Sequence, residues 1–349
     1  MMHQEAPLRT HRASRIARCT PHIAAIAAAW LYASGLAALA LLWAGQPAAP
    51  AWLALSNIFA PLLFAPLLPL AAAALLLRSR PMLPALLLPA ALFAALFGRL
   101  FLPPGAPPEP GPRLRVATLN VLYTNRDVAA LAAALRSADA DVVVLQELSP
   151  RAADGLRTQI GATYPYQHLS PHDGPAGMGI FSRLPLHPVF RRGFPGQLAQ
   201  VEVDGTDVLL LNVHLPAPEW RRGFSTSRRD AAAPRLLAAI DQAPGPLVAA
   251  GDFNTAERER LYGALAARLT DAFRATERGF GFTFPNGGRI GPAPAPFPLV
   301  RLDYIWSGRG VAPLAARVDC RASGSDHCLV VADLRLTAAG TAERGWLPW

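Results

Sequence analysis

Asp141-Val142-Val143-Val144-Leu145-Gln146-Glu147 is the stretch that decides how the second part of this 349-residue chain folds. Its first five residues read as a nearly pure apolar strand, and the strand ends in an amide and an acid. A carboxylate at the end of a buried strand cannot stay charged and unpaired inside, so Glu147 must reach solvent, a cation or a base. Taken alone, it reads first as an ordinary exposed strand-end acid.

Working outward, Leu114–Leu122 reads as another buried strand, with Asn120 ending Val116-Ala117-Thr118-Leu119-Asn120. Asp127–Arg136, with Leu131 and Leu135 four apart, has helical spacing. Further strands are expected at Met178–Phe181, Leu198–Val203, Val208–Val213, Pro246–Ala250, Leu302–Trp306 and Leu329–Leu336, and helices at Arg228–Ile240 and Ala256–Ala267. Many strands with few helices between them predict two packed sheets covered by helices, an α+β sandwich. Dense Pro and Gly between the elements predict ordered loops.

Three more strings repeat the pattern of an apolar run ending in polar groups: Asn212-Val213-His214-Leu215, Gly251-Asp252-Phe253-Asn254 and Ser325-Asp326-His327. Gly251 permits a tight exit from its strand, and Asp252 and Asn254, two apart, can lie on one side of an extended segment. One such group can handle a proton while the other steadies a phosphoryl oxygen; an Asp–Asn turn is the plainer reading. His214 alone reads equally as a core histidine or as a site residue, and Asn120 as a turn-capping amide. Asp303, in Arg301-Leu302-Asp303-Tyr304-Ile305, is a carboxylate that can orient an imidazole and raise its basicity. Each string is weak singly; their joint order is specific.

In that order the strings resemble the endonuclease/exonuclease/phosphatase superfamily, the DNase I-like group that includes AP endonucleases, inositol polyphosphate 5-phosphatases and neutral sphingomyelinases. The resemblance covers roughly residues 113–337 and includes the Gly179-Ile180-Phe181-Ser182-Arg183 strand. It implies a four-layer α/β sandwich with the active site at one edge. It also implies a metal set of Asn120, Glu147 and Asp326 holding magnesium or manganese, since hard oxygen ligands disfavour zinc. Catalysis would fall to His214, Asp252, Asn254, Asp303 and His327. Asp252 would activate or orient the attacking water, Asn254, His214 and His327 would contact the phosphate, His214 would also help the leaving oxygen, and Asp303 would orient His327. Histidine at 214 matches the DNase, sphingomyelinase and 5-phosphatase branches, whereas AP endonucleases carry tyrosine there.

The first part of the chain is different. Residues 1–102 carry seven Arg and one acid, Glu5, while the remainder carries 26 Arg against 23 Asp and Glu, so the basic excess is concentrated near apolar stretches. Ile23–Ala44 is uncharged over 22 residues, enough to cross a hydrocarbon core. Ala51–Leu77 is also uncharged but holds Pro61, Pro66 and Pro69, which predict a kinked or broken helix. Met82–Leu102 follows, with Arg99 near its end. The expected organisation is a basic tail at 1–22, a three-helix membrane region at 23–102, a Pro-rich stalk at 103–112, the phosphoesterase domain at 113–337 and a tail at 338–349. Arginine placement puts the tail and the 78–81 turn in the cytoplasm. Three crossings then place the domain outside it, at the inner (plasma) membrane as a multi-pass, bacterial-type protein. If the second stretch is re-entrant, the side reverses. Cys19 reads as a free thiol; Cys320 and Cys328 are near enough in sequence to pair, which spacing alone does not show.

The leading expectation is a membrane-tethered, metal-dependent phosphoesterase working by in-line water attack. Its partners would be the lipid bilayer and a phosphate-ester substrate, nucleic acid or phospholipid headgroup, with no obligate protein partner evident. The alternative is a non-catalytic membrane receptor or scaffold that binds phosphorylated ligands with the same fold. A transporter finds little support, because the apolar stretches hold no acid–base pair. The pairs Arg191-Arg192, Arg221-Arg222 and Arg228-Arg229 read either as phosphate grips or as solvated loop charge, and Trp220 and Phe224 as interface or packing groups. Thr283-Phe284-Pro285 and Trp306 read as scaffold.

Overall fold

Helices occupy the first part of the chain and alternating strands the rest, as the uncharged and period-two stretches dictate. The computed structural model describes residues 8–45, 50–102, 105, 111–220, 223–290, 293–321 and 323–337. Most of the expected stalk, the C-terminal tail from 338 and the Arg221-Arg222 pair lie outside the described residues. Two compact units result, Met1–Phe101 and Leu102–Trp349.

In the first unit, α1 (Leu8–Gly45) contains the apolar span His22–Ala44. α2 (Ala51–Ile58) and α3 (Leu67–Leu76) are joined by a 3-10 turn at Ala60–Phe64, where Pro61 interrupts the helical ladder. The two segments meet at a bend of 76°, the break that the prolines predict. α4 (Met82–Phe97) continues through a short turn to Phe101. Ala29, Ala74, Met82, Ala85 and Leu86 pack together, small residues letting the helices approach closely. Leu31, Leu41, Leu68, Leu75 and Leu76 point outward. Among the described residues, two helices are long and apolar enough to cross a membrane, or three if the bent pair counts as one span.

The second unit has two six-stranded sheets. β1 (Arg113–Asn120), β2 (Val142–Gln146), β3 (Tyr166–Ser170) and β4 (Met178–Ser182) belong to the first sheet. β5 (Leu186–Val189), β6 (Gly196–Val203), β7 (Thr206–His214), β8 (Leu247–Asp252) and β9 (Thr270–Asp271) belong to the second. β10 (Arg289–Ile290) and β11 (Ala293–Pro294) form a small hairpin; β12 (Asp303–Ser307) joins the second sheet, while β13 (Val311–Asp319) and β14 (Leu329–Leu336) complete the first. The strand orders are β13-β14-β1-β2-β4-β3 and β5-β6-β7-β8-β12-β9. The β1–β2 and β7–β8 pairs are parallel, crossed by α5 (Val128–Ala138) and α7 (Ser227–Asp241). α6 (Pro150–Ile160), α8 (Arg260–Ala266) and α9 (Ala272–Thr276) fill out the helical layers.

Alternation explains the layering. Val142 and Val144 of β2 face Val208, Leu210, Val248 and Ala250 of the other sheet, whereas Val143 and Leu145 face Leu131, Leu135, Leu156 and Ile160 of α5 and α6. On the far side, Leu209, Leu211 and Ala249 meet Leu236, Ala239 and Leu265 of α7 and α8. The result is the α+β sandwich of four layers. The same parity aims Asn120, Gln146, Asn212, Asp252 and Asp303 into the space between the sheets, since each shares its face with an inter-sheet apolar residue two or four positions away.

Two details depart from the sequence reading. α8 begins at Arg260 rather than Ala256, because the Glu259 carboxylate accepts from Ala256 N at 2.7 Å and turns the chain there. The partly exposed strands β3, β5 and β13 and helix α6 were not expected. Cys320 and Cys328 form a disulfide, with Cα atoms 4.4 Å apart.

Candidate active site at the edge between the sheets

Strand register sets the first contacts. Asn120 lies beside Gln146 in one sheet; His214 lies beside Asp252, and Asp252 beside Asp303, in the other. Beyond these strand ends the backbone turns sharply. Leu122, Glu147 and Asn254 all have positive φ, at 59°, 56° and 48°. Left-handed conformation at such residues costs about 1–3 kcal/mol each and persists only where surroundings enforce it. Gly251 (φ 146°) is enforced sterically: a Cβ there would sit 2.0 Å from the Val213 carbonyl oxygen.

Asn120 joins the two halves. Its Nδ2 donates to Glu147 Oε1 and to Asp252 Oδ2, both at 3.1 Å, while its Oδ1 accepts from Leu122 N at 3.1 Å. Glu147, half-buried, also accepts from Tyr123 N at 3.3 Å. Asp252 is buried, and its Oδ1 accepts from Asn254 N at 2.9 Å. The Asn254 amide divides its hydrogens between Asp252 Oδ2 (3.1 Å) and the Leu215 carbonyl (2.9 Å).

Two imidazoles face the same carboxylate oxygen. His214 Nε2 and His327 Nε2 each lie 3.9 Å from Asp252 Oδ2. His327 Nδ1 pairs with Asp303 Oδ2 at 2.9 Å, and its ring rests against Phe284 with centroids 4.8 Å apart. Burial pushes the Asp252 carboxyl up to about 7, against the opposing pull of His327. Burial works against charge on His327, but the Asp303 and Asp252 carboxylates outweigh it and raise its pKa to about 10. Burial holds His214 below its ordinary value, despite the Glu147 charge.

Seven of the eight expected residues are thereby linked into one cluster: Asp252 with Asn120, His214, Asn254 and His327, Glu147 through Asn120, and Asp303 through His327. Asp326 is half-buried next to His327; among the described residues no hydrogen bond joins its carboxylate to Asn120 or Glu147, and its backbone carbonyl accepts from Asn286 N at 2.6 Å. A different trio stands out as a cation site: one donor atom each from Asp252, Asp303 and His327 lie within 4.8 Å of one another. Asp303 Oδ1 is buried without a hydrogen-bond partner. The carboxylates, with one Asp303 oxygen unsatisfied, are hard donors of the kind a divalent cation takes, but His327, held charged by Asp303, has no lone pair to offer while protonated, so the trio is not a complete cation cage as it stands.

Several supports had not been assigned a role. Ser325 Oγ donates to the Asn120 carbonyl at 2.6 Å and accepts from His327 N at 3.0 Å, tying the last loop to β1. Thr283 Oγ1 accepts from Leu302 N and Asp303 N, so the residue read as scaffold fixes the start of β12. Gln146 Nε2 donates across the sheets to Asn212 Oδ1 at 2.7 Å, and Asn212 Nδ2 reaches Leu145 O, Gly179 O and Gln197 Oε1. The signal for these two was their polarity at inward strand positions. Trp220 and Phe224 pack edge to face, and Arg228 contacts Glu219 at 3.5 Å on the surface.

The family model for the Endonuclease/Exonuclease/phosphatase family matches residues 117–327. The chain belongs to this family. It is thus a member of a family of phosphoester hydrolases, and every residue of the cluster falls within the matched span. Solved structures share the fold. D. rerio TDP2 complexed with single strand DNA product aligns at 22% identity over 64% of this chain and 99% of its own, with a TM-score of 0.51. Family proteins from Bacteroides vulgatus and Bacteroides thetaiotaomicron align at 18% and 16% identity, over 64% and 66% of this chain and 99% and 100% of theirs, each with a TM-score of 0.50. No curated protein matches the chain in sequence.

Proposed function

We propose that the chain is a membrane-tethered, divalent-metal-dependent phosphoesterase that hydrolyses phosphodiester or phosphomonoester bonds by in-line attack of water. The observation that carries this reading is the convergence on Asp252 Oδ2 of Asn120 at 3.1 Å and of His214 and His327 at 3.9 Å. A binding site has no need for a buried carboxylate flanked by two imidazoles; a hydrolase does.

The roles we assign are those the family resemblance implies, and the geometry supports them. Asp252 takes the proton of the attacking water, Asn120 and Asn254 holding its carboxylate in place. His327, kept charged by Asp303, donates from Nε2 to a phosphoryl oxygen. His214, its Nε2 3.9 Å from Asp252 Oδ2, approaches from the other side and supplies a hydrogen bond to the departing oxygen. Glu147, with Asn120 beside it, would hold magnesium or manganese, and Asp326 would approach from the loop before β14. When bound, such a cation offsets charge on the phosphoryl oxygens.

Residues 113–337 would form the catalytic domain, set on a membrane region at 23–102 by the stalk at 103–112. The Cys320–Cys328 disulfide supports a location outside the reducing cytoplasm. Nucleic acid, whose product the D. rerio relative holds, and phospholipid headgroups are the substrate classes to be compared. The deciding experiment assays the purified full chain in detergent against plasmid DNA, phospholipid vesicles and bis(p-nitrophenyl) phosphate, with magnesium and with chelator. Magnesium-dependent release is expected on at least one; none on any would refute the reading. A reporter fused to the C-terminus tests the side of the membrane.

A further inference from the structure

We infer that Arg229 is a positioning residue for the reaction proposed above, acting through the backbone carbonyl of Asn254. The inference rests on the reading that Asp252 and Asn254 are catalytic. Arg229 and Arg228 are neighbours in the first turn of α7, yet Arg229 is almost completely buried. Its guanidinium donates from Nη1 to Asn254 O (2.7 Å) and Glu259 Oε2 (3.0 Å), and from Nη2 to Glu259 Oε1 (2.9 Å) and Asp230 Oδ1 (2.9 Å). Nε donates to Asp230 Oδ1 at 3.0 Å. All five guanidinium donors are therefore spent on the protein, and Arg229 has none left for a substrate phosphate.

What the guanidinium holds is a strained hinge. Asn254 has φ 48°, and its amide reaches Asp252 Oδ2 only while the backbone stays in that conformation. Glu259 closes the same turn from the other end, accepting from Ala256 N at 2.7 Å and from Thr255 Oγ1 at 3.4 Å. The bidentate Arg229–Glu259 pair thus clamps residues 254–256 from both sides. Without it, the left-handed Asn254 would relax towards ordinary φ and swing its amide away from Asp252. Misplacement by about 1 Å in such a site can cost on the order of a hundredfold in turnover.

The test measures kcat, KM and the thermal midpoint on bis(p-nitrophenyl) phosphate with magnesium for the wild-type chain, Arg229→Met, Asn254→Ala and the double variant. Arg229→Met should lower kcat at least about tenfold with KM little changed, and should lower it less than about twofold when Asn254 is already Ala. Should Arg229→Met alone fail to fold because it strands Glu259, Arg229→Met/Glu259→Met removes both charges and is compared in the same two backgrounds. An equal loss of kcat in both backgrounds, or no loss at all, overturns the inference. Wild-type turnover in Asn254→Ala, or an inactive wild-type chain, instead refutes the assignment of the site, and the inference falls with it.

Discussion

The Asn120 side chain reaches from the end of β1 across to Asp252 at the end of β8, its Nδ2 3.1 Å from Asp252 Oδ2. The same nitrogen donates to Glu147. One amide thus couples the acid expected to hold the cation to the acid expected to take the proton. Asn120→Ala should leave the sandwich folded, since the residue ends its strand, but should lower kcat on the order of a hundredfold and weaken magnesium activation. Steady-state kinetics across a magnesium titration measures both effects.

Asp303→Asn keeps the volume of the buried carboxylate and removes its charge. Asp303 Oδ2 is the partner of His327 Nδ1 at 2.9 Å, so the imidazole loses the group that outweighs the cost of its burial. If His327 donates to the phosphate as proposed, weakening that donor should cost roughly a hundredfold or more in kcat. The fold should survive, with circular dichroism unchanged.

Gly251→Ala should be among the most damaging small substitutions in the chain. The added methyl would lie 2.0 Å from Val213 O and 2.8 Å from Val213 C, against the backbone of the neighbouring strand, which cannot give way without breaking the β7–β8 ladder. A loss of more than about 3 kcal/mol is expected. Gly263→Ala is the control: nothing lies within 4 Å of its Cβ and it sits in α8, so stability should hold or rise by up to about 1 kcal/mol. Thermal or denaturant unfolding of the two variants decides.

Gln146→Met or Asn212→Leu should each destabilise by about 1–3 kcal/mol, because each leaves the other's buried amide without its cross-sheet partner. The double variant should cost less than the two singles added together. Denaturant midpoints for the four proteins give the coupling directly.

Chelation should abolish hydrolysis, and magnesium should restore it. Magnesium should also raise the thermal midpoint of the wild-type chain, as any ligand binding only the folded form does. Glu147→Ala should remove both the restoration and the shift; a receptor that merely binds phosphorylated ligands would keep its biological role in that variant.

The frame of this site was legible because its strands are central. Val142–Leu145 and Val208–Leu211 are covered on both faces, so their apolar runs announced them and the polar residues at their ends stood out. The edge strands β3 and β5, Tyr166–Ser170 and Leu186–Val189, are partly exposed and carry mixed residues, which erases the alternation that pattern reading needs. The supports were hidden for another reason. Ser325 and Thr283 act through hydroxyls, which most such residues spend on solvent. Arg228 and Arg229 are the same residue type side by side, yet one pairs with Glu219 at the surface and the other is buried against Glu259, thirty positions away. Nothing local distinguishes them.

β1 runs antiparallel beside β14, with Arg113 paired to Arg335 and Thr118 to Val330, while all strands of the second sheet are made in between. β1 therefore waits for β14 before that edge is satisfied. Asn120 cannot be braced by Ser325, nor Asp252 be faced by His327, until residues 325–327 have been made and folded back. A nascent or truncated chain lacking that segment should consequently be inert, however complete its second sheet.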